Sequence, residues 1–221
     1  MHRLQRHILH KLVINQSAPY SRIKPPSVEG NLFTYHLRHL ISEDLVVKRV
    51  DGKYELTSAG KRLAEGISLE TMTPRRQAKI VTLIACRDQQ SRWLLYRRKR
   101  QPLIGMVGFP YGKIHHDEQV ATAANRELQE KTGLTAKLTH RGDGYITISQ
   151  GDEIISQILF HLFYGEDPTG KLRPENKVGK PYWQKLESYR DPMLMPSMKD
   201  LITAIDADTP GRFFCELAYN L

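Results

Sequence analysis

The sequence predicts two units of mixed helix and strand: a small α+β unit over residues 1–67 and a layered α/β unit over residues 78–208. Three observations carry that expectation. In the first 44 residues, apolar side chains recur at the three-to-four spacing of amphipathic helices, and a pair of short strand-like runs follows. Residues 68–77, SLETMTPRRQ, lack any apolar period and hold Pro74, so they read as a linker. Beyond them, β-branched and aromatic runs surround one alanine-rich helix.

The elements follow in order. Leu4, Ile8, Leu9, Leu12 and Val13 define a first helix. A short second one, Tyr20 to Lys24, lies between Pro19 and Pro25-Pro26. A third, from about Val28 to Asp44, turns Leu32, Phe33, Leu37, Leu40 and Ile41 inward. LVVKRVDGKYELT is two strands joined at Asp51-Gly52, a dipeptide that accepts the positive φ of a tight turn. SAGKRLAEGI closes the unit as a helix. In the second unit, IVTLIAC, WLLYRR, YITIS and IISQILFHLFY read as strands, Ala121–Lys131 as a helix, and MPSMKDLITAID as a closing helix. Residues 209–221 form a C-terminal tail whose Phe213, Phe214, Leu217 and Tyr219 are suited to covering a core edge or a partner.

Bulk properties limit the function classes. Of 221 residues, 40% are hydrophobic and 26% charged, enough for packed cores. No apolar run approaches the roughly 18 residues of a membrane span, and the N-terminus lacks a signal peptide's continuous apolar segment. Two cysteines, Cys86 and Cys215, form neither a disulfide framework nor a zinc set, so a reducing, cytoplasmic location is expected. The net charge is +9, and residues 1–77, with thirteen Lys/Arg against seven Asp/Glu, hold +6 of it. A basic first unit suits a polyanionic partner or merely a soluble basic surface.

The order helix, helix, helix, hairpin, helix, with Asp44-Leu45-Val46, Gly52-Lys53-Tyr54-Glu55-Leu56-Thr57 and Gly60, resembles the winged-helix family of DNA-binding domains. The resemblance implies that the third helix enters the major groove and presents Asn31, Thr34, Tyr35, Arg38 and His39 to base edges. Lys48, Arg49 and Lys53 on the wing would meet phosphates.

The stretch GKIHHDEQVATAANRELQEKTGL, Gly112 to Leu134, carries the chemistry. Its helix places Glu127 and Glu130 on one face with Lys131 beside them, and paired carboxylates on a helix face hold hard cations such as Mg²⁺. Gly133 ends the helix as a C-terminal glycine. Gly112, Glu118, Arg126, Glu127, Leu128, Glu130, Gly133 and Leu134 stand at the spacing of the Nudix signature, and residues 78–208 resemble that family. The resemblance implies an α/β/α sandwich with a mixed sheet. It also implies Mg²⁺ or Mn²⁺ as cofactor, catalytic and metal-binding roles for Glu127 and Glu130, and a metal contact from the backbone of Tyr111. Gly112, Glu118, Arg126 and Gly133 would be structural, with Glu118 and Arg126 bracing loop against helix.

Two positions depart from the signature. Lys131 stands where the family has a second adjacent glutamate, and Tyr111 stands where it has a glycine. A protonated lysine cannot ligate a cation, so the metal site is expected to be weakened. Arg97, Arg98, Lys113 and Lys131 are candidates for binding ligand phosphates. Glu153 and Glu175 are candidates for a further carboxylate from outside the helix, or are simply exposed. Tyr182 and Trp183 would stack on a base or pack in the core, and His115-His116 reads as solvent-exposed. Three functions fit: a DNA-binding regulator sensing a nucleotide-derived metabolite of the ADP-ribose type, with weak or absent hydrolysis; an active Mg²⁺-dependent pyrophosphohydrolase; or a non-catalytic adaptor. A homodimer is compatible with either unit.

Overall fold

The computed structural model describes residues 1–68, 71, 73–207 and 211–221; Leu69, Glu70 and Met72 of the linker, and Asp208, Thr209 and Pro210 before the tail, lie outside the described residues. The chain divides into two compact units, Met1–Arg76 and Gln77–Leu221. No described helix is long and apolar enough to cross a membrane.

In the first unit, α1 (Arg3–Val13), α2 (Tyr20–Ile23) and α3 (Gly30–Ser42) precede a two-stranded antiparallel sheet, β1 (Val46–Lys48) and β2 (Tyr54–Leu56), and α4 (Ser58–Glu65). The apolar stripes read from the sequence converge: Ile8, Leu9, Leu12, Ile23, Phe33, Leu37, Leu40, Val46 and Leu56 form one core. Leu32 and Ile41, expected inward, are exposed, because the packed stripe of α3 is the narrower one through Phe33, Leu37 and Leu40. The hairpin turns at Gly52, which has φ of 81° as the Asp-Gly pair predicts. Ala18, between α1 and α2, exchanges two backbone hydrogen bonds with Tyr54 at 3.0 and 2.9 Å. Gly60 is fixed by space, since a Cβ there would fall 2.1 Å from the Leu45 carbonyl oxygen.

The second unit is built on one eight-stranded mixed sheet. Its strands are β3 (Lys79–Arg87), β4 (Trp93–Arg98), β5 (Val107–Gly108), β6 (Tyr111–Lys113), β8 (Thr139–Gln150), β9 (Glu153–Glu166), β11 (Gly179–Gln184) and β12 (Phe213–Asn220). The main path runs β11-β4-β3-β9-β8-β12, with β5 on β4 and β6 on β3; β3–β9 and β8–β12 are parallel. Two short strands, β7 (Leu134–Thr135) and β10 (Thr169–Gly170), pair separately. Strand alternation divides the core in two. Val81, Leu83, Ala85, Phe160 and Leu162 face the closing helix α6 (Met198–Asp206), through Met198, Leu201, Ile202 and Ile205. Ile84, Cys86, Leu94 and Phe163 face Ala124 and Leu128 of α5 (Val120–Thr132). The result is the helix–sheet–helix sandwich expected of a Nudix-like unit.

Besides the short β5, β6, β7 and β10, both edge strands of the main path went unread in the sequence. GKPYWQ forms the edge strand β11, where Pro181 is tolerated because an edge lacks partners on one side. Residues 213–220 of the tail form β12 along the opposite edge. There Phe213, Cys215, Leu217 and Tyr219 turn inward, while Phe214 is 65% exposed. Tyr219 anchors the strand by donating to Asp200 at 2.6 Å.

Phe33 is fully buried at the centre of the first core. Phe33→Ala removes that contact surface and leaves a cavity, an expected cost of about 3–5 kcal/mol, comparable to the whole stability of a unit this small. Limited proteolysis, with cleavage sites mapped to residues 1–76, checks it: the variant should be cut in that unit at temperatures where the unaltered protein is resistant.

Candidate functional site

The loop from β6 into α5 is organised by one guanidinium. Arg126 Nε and Nη2 donate to the two oxygens of Glu118 at 2.7 and 2.9 Å, and Nη2 also donates to the Lys113 carbonyl at 3.0 Å. Glu118 in turn accepts from the His115 backbone N–H at 3.0 Å. These hydrogen bonds, that from Arg126 foremost, pull the Glu118 carboxyl down to about 2. The bracing of loop against helix implied by the signature is thus present as geometry. At the far end, Gly133 has φ of 78°, a left-handed helix cap. A side chain there would meet the Lys171 carbonyl oxygen at 2.5 Å.

Glu127 is the buried centre of the box. Its carboxylate lies flat on Gly112: a Cβ at that position would fall 1.7 Å from Glu127 Cδ, so only glycine fits. Both of its oxygens are engaged. Arg126 Nη1 donates to Oε1 at 2.9 Å, and Lys131 Nζ lies 3.3 Å from Oε2. Glu130 is more open, its side chain 58% exposed, with one oxygen 3.2 Å from Arg126. Among Glu118, Glu127, Glu130, Arg126 and Lys131 the charges sum to −1; a glutamate at 131 would make it −3.

Mg²⁺ demands several oxygen ligands at about 2.0–2.1 Å. Here Glu127 is already paired on both oxygens, Lys131 offers none, and Glu130 alone is open to solvent. Tyr111 could contribute only its carbonyl. It sits in β6 opposite Leu83 with no positive φ, so a side chain in place of the family's glycine is unstrained there. This donor set fits a divalent cation poorly.

Beside the box, a cleft is walled by Leu83, Phe109, Ile146, Ile158 and Met198. At its edge, Tyr96, Arg98 and Tyr111 are shared with a smaller groove that includes Arg100 and Lys131. Arg98 is 8% exposed. It donates to the Pro102 carbonyl at 3.1 Å and to the Tyr111 hydroxyl, and no carboxylate among the described residues pairs with it. A buried cation without an anion is costly, and a cleft-lining one is a ready seat for an anionic group.

The other candidates separate. Arg97 alternates to the opposite side of β4, exposed and beside the Tyr182 hydroxyl, so Arg97 and Arg98 do not act as a pair. Lys113 is exposed on β6, away from the residues lining the cleft. Glu175 is ion-paired with Lys99, which lowers its pKa, and Glu153 is exposed at the tip of the β8–β9 hairpin. Tyr182 packs in the core under α6 and Trp183 in the one under α5, on opposite faces of the sheet, so they cannot flank one base. His115 and His116 are exposed, as expected. In the first unit, Asn31, Tyr35 and Arg38 form one exposed stripe of α3 at i, i+4 and i+7, with His39 exposed beside it. Thr34 is partly withdrawn by a 3.1 Å hydrogen bond with Tyr20. On the hairpin, Arg49 pairs with Glu55 at 3.0 Å and Lys53 with Asp51 at 3.5 Å, while Lys48 lies over the Tyr54 ring. The cleft's apolar walls went unread in the sequence because they come from four separate elements and the β5–β6 connection.

A carboxylate helix braced through one arginine onto an α/β/α sandwich defines a Nudix-type domain. The family model described as NUDIX domain matches residues 76–205, and the chain belongs to that family. Among solved structures, the chain is similar to the mutator MutT protein from Bacillus halodurans at 22% identity and TM-score 0.52, covering 64% of this chain and 90% of that one. The MutT protein from Methanosarcina mazei Go1 gives 19% identity and TM-score 0.50, over 61% and 96% of the two chains. The NUDIX domain of Shewanella oneidensis NrtR, complexed with ADP ribose, gives 16% and 0.50, over 68% and 97%. At these identities the likeness shows the fold. No curated protein matches the chain.

Because the Glu118 carboxyl is held below its ordinary value, its contribution to stability is full above about pH 4.5 and is lost as pH falls toward 2. Glu118→Gln should therefore lower the melting temperature at pH 6–7, and the gap to the unaltered protein should close across that acid window. Thermal unfolding at a series of pH values checks it; a gap independent of pH would place the stabilisation elsewhere.

Proposed function

We propose that this chain is a ligand-binding Nudix protein that holds a nucleoside-diphosphate-linked metabolite of the ADP-ribose class with weak or absent hydrolysis. In this reading residues 1–67 are a winged helix that binds DNA, and the protein is a ligand-responsive transcriptional regulator. One observation carries the sensor side: both oxygens of Glu127, the buried carboxylate of the box, are held by protein cations, Arg126 and Lys131. Lys131 supplies within the chain part of the positive charge that Mg²⁺ or Mn²⁺ brings to such sites, so metal binding is weak. The diphosphate sits against Arg98 and Lys131, and the apolar cleft takes the base. That the NrtR domain of the same fold was crystallised with ADP ribose supports the choice of ligand class. Glu127 and Glu130 keep the catalytic and metal-binding roles of the family only to the extent that a cation can displace Lys131.

For the first unit, the element order, the exposed Asn31–Tyr35–Arg38 stripe and the net charge of +6 support DNA as the partner. The ion pairs of Arg49 and Lys53 are exposed, and such pairs are worth only about 0–1 kcal/mol, so phosphates can compete for both side chains. The reading includes a cytoplasmic location and a homodimer, whose mass light scattering measures directly.

Lys131→Glu should restore a carboxylate, tighten Mg²⁺ binding by tenfold or more and raise pyrophosphohydrolase turnover. Calorimetric Mg²⁺ titration and product assays with ADP-ribose measure both. An unaltered protein already turning over at about 1 s⁻¹, an ordinary enzyme rate, would sink the weak-hydrolysis reading in favour of an active hydrolase.

DNA affinity should fall with salt by about 0.9 logarithmic units per phosphate contact for each tenfold increase. Arg38→Ala should reduce discrimination between specific and random duplexes, whereas Lys53→Ala should weaken both alike. Saturating ADP-ribose should shift the affinity by roughly 5–150-fold, the usual span of coupling between two sites. Titrations at fixed salt decide. No binding at low salt would leave the adaptor reading, and an unchanged affinity with ligand bound would exclude regulation by that ligand.

A further inference from the structure

A second constellation lies in the long β8–β9 hairpin, built from residues the Nudix box does not use. His140 and Asp143 stand three apart on one strand, a separation that normally places side chains on opposite faces. A register shift between His140 and Gly142 reverses the parity and brings both to one face. A second irregularity, between Ile148 and Ser149, moves the ladder by one residue and sets Asp143 directly opposite His161. Bulges of this kind re-aim side chains and are frequent beside functional sites. Here two of them are needed to assemble three potential ligands.

The assembled geometry is compact. One oxygen of Asp143, Oδ1, lies 2.8 Å from His140 Nε2 and 2.6 Å from His161 Nδ1. One nitrogen from each histidine and one Asp143 oxygen all lie within 4.8 Å of one another. Ligands around a tetrahedral ion with bonds of about 2.0–2.1 Å stand roughly 3.4 Å apart, so small side-chain rotations suffice. The three side chains are only 18–35% exposed, open enough for an ion and a water to enter. Two imidazoles with one carboxylate is a donor set for Zn²⁺ and its borderline neighbours and not for Mg²⁺, which prefers oxygen alone.

The ladder also fixes where the cluster lies. Asp143, His161, Thr82 and Gly112 are successive partners across β8, β9, β3 and β6. Ladder partners share a face, so the cluster is on the face where Glu127 covers Gly112. At about 4.8 Å per strand, His161 is roughly 10 Å from Gly112 along that row. The two sets of ligands are therefore separate.

We propose that His140, Asp143 and His161 form a metal site of the Zn²⁺ class, with one coordination position left to water, that clamps β8 to β9 independently of the Nudix box. Its occupancy stabilises the second unit. It also means that effects of Zn²⁺ or Co²⁺ on this protein do not by themselves report on Glu127 and Glu130.

The test uses the full chain and Co²⁺ as a visible probe. One equivalent of Co²⁺ should give the intense d–d absorption of a four-coordinate site, and Zn²⁺ should abolish it by displacement. His140→Gln and His161→Gln keep a donor toward Asp143 and should preserve the circular dichroism spectrum of the metal-free protein, yet weaken binding by about tenfold or more. Glu130→Gln should leave the band intact, which distinguishes this site from the box. Absence of a one-to-one band in the unaltered protein would overturn the proposal. So would a band unchanged in both histidine variants, which would trace it to histidines elsewhere, or a band lost in Glu130→Gln.

Discussion

The geometry around the box depends on a single buried carboxylate. Glu127 sits against the backbone of Gly112, with Arg126 on one oxygen and Lys131 on the other. A charge so placed must be compensated, because burial removes its hydration. The compensation draws the neighbouring parts into place. Arg126 reaches Glu127 while gripping Glu118 and the Lys113 carbonyl, so neutralising one side chain also closes the loop that precedes the helix. The glycine under Glu127 joins α5 to the sheet through β6, which pairs with β3.

That arrangement supports the sensor reading for an electrostatic reason. A site that hydrolyses phosphates through a divalent ion needs excess negative charge to attract it. Here the box is within one unit of neutrality, because the lysine removes one negative charge and adds a positive one. A few residues away the environment is the opposite: Arg98, buried and without a carboxylate partner among the described residues, lies beside Arg100 and Lys131. The same substitution thus weakens attraction for the cation and strengthens it for the anion.

Much of the fold was legible in the sequence where burial imposes a period. The stripe of Ile8, Leu9 and Leu12 and the alanine-rich run of α5 each follow from one apolar face packing against its neighbours, and the continuous run Val81–Cys86 follows from burial on both faces of the sheet. Where burial is partial the signal fails. The edge strand GKPYWQ has one neighbouring strand and carries a glycine and a proline, so it offers no β-branched run. The tail strand β12 alternates inward and outward, but its partner β8 is some 70 residues earlier and its role could not be seen locally.

The sequence by itself determined the Nudix box, since its glycines, carboxylates and arginine are fixed in spacing by one helix and one loop, and local geometry suffices to relate them. It also located the two departures, Lys131 and Tyr111. Helix spacing already allowed Lys131 to pair with Glu127 at i,i+4 as an alternative to meeting a pyrophosphate, and in the structure it lies 3.3 Å from that carboxylate. Tertiary structure alone decided that Tyr111 meets Arg98 from another strand. It decided as well that Arg98 and not Arg97 lines the cleft, because strand parity depends on which face is buried. The His140–Asp143–His161 cluster shows the limit most sharply. An unbroken two-residue period would put His140 and Asp143 on opposite faces, and an unshifted hairpin would set Asp143 opposite Phe160. Two one-residue irregularities in the ladder reverse both outcomes, and a single slip in register exchanges the faces of every side chain beyond it.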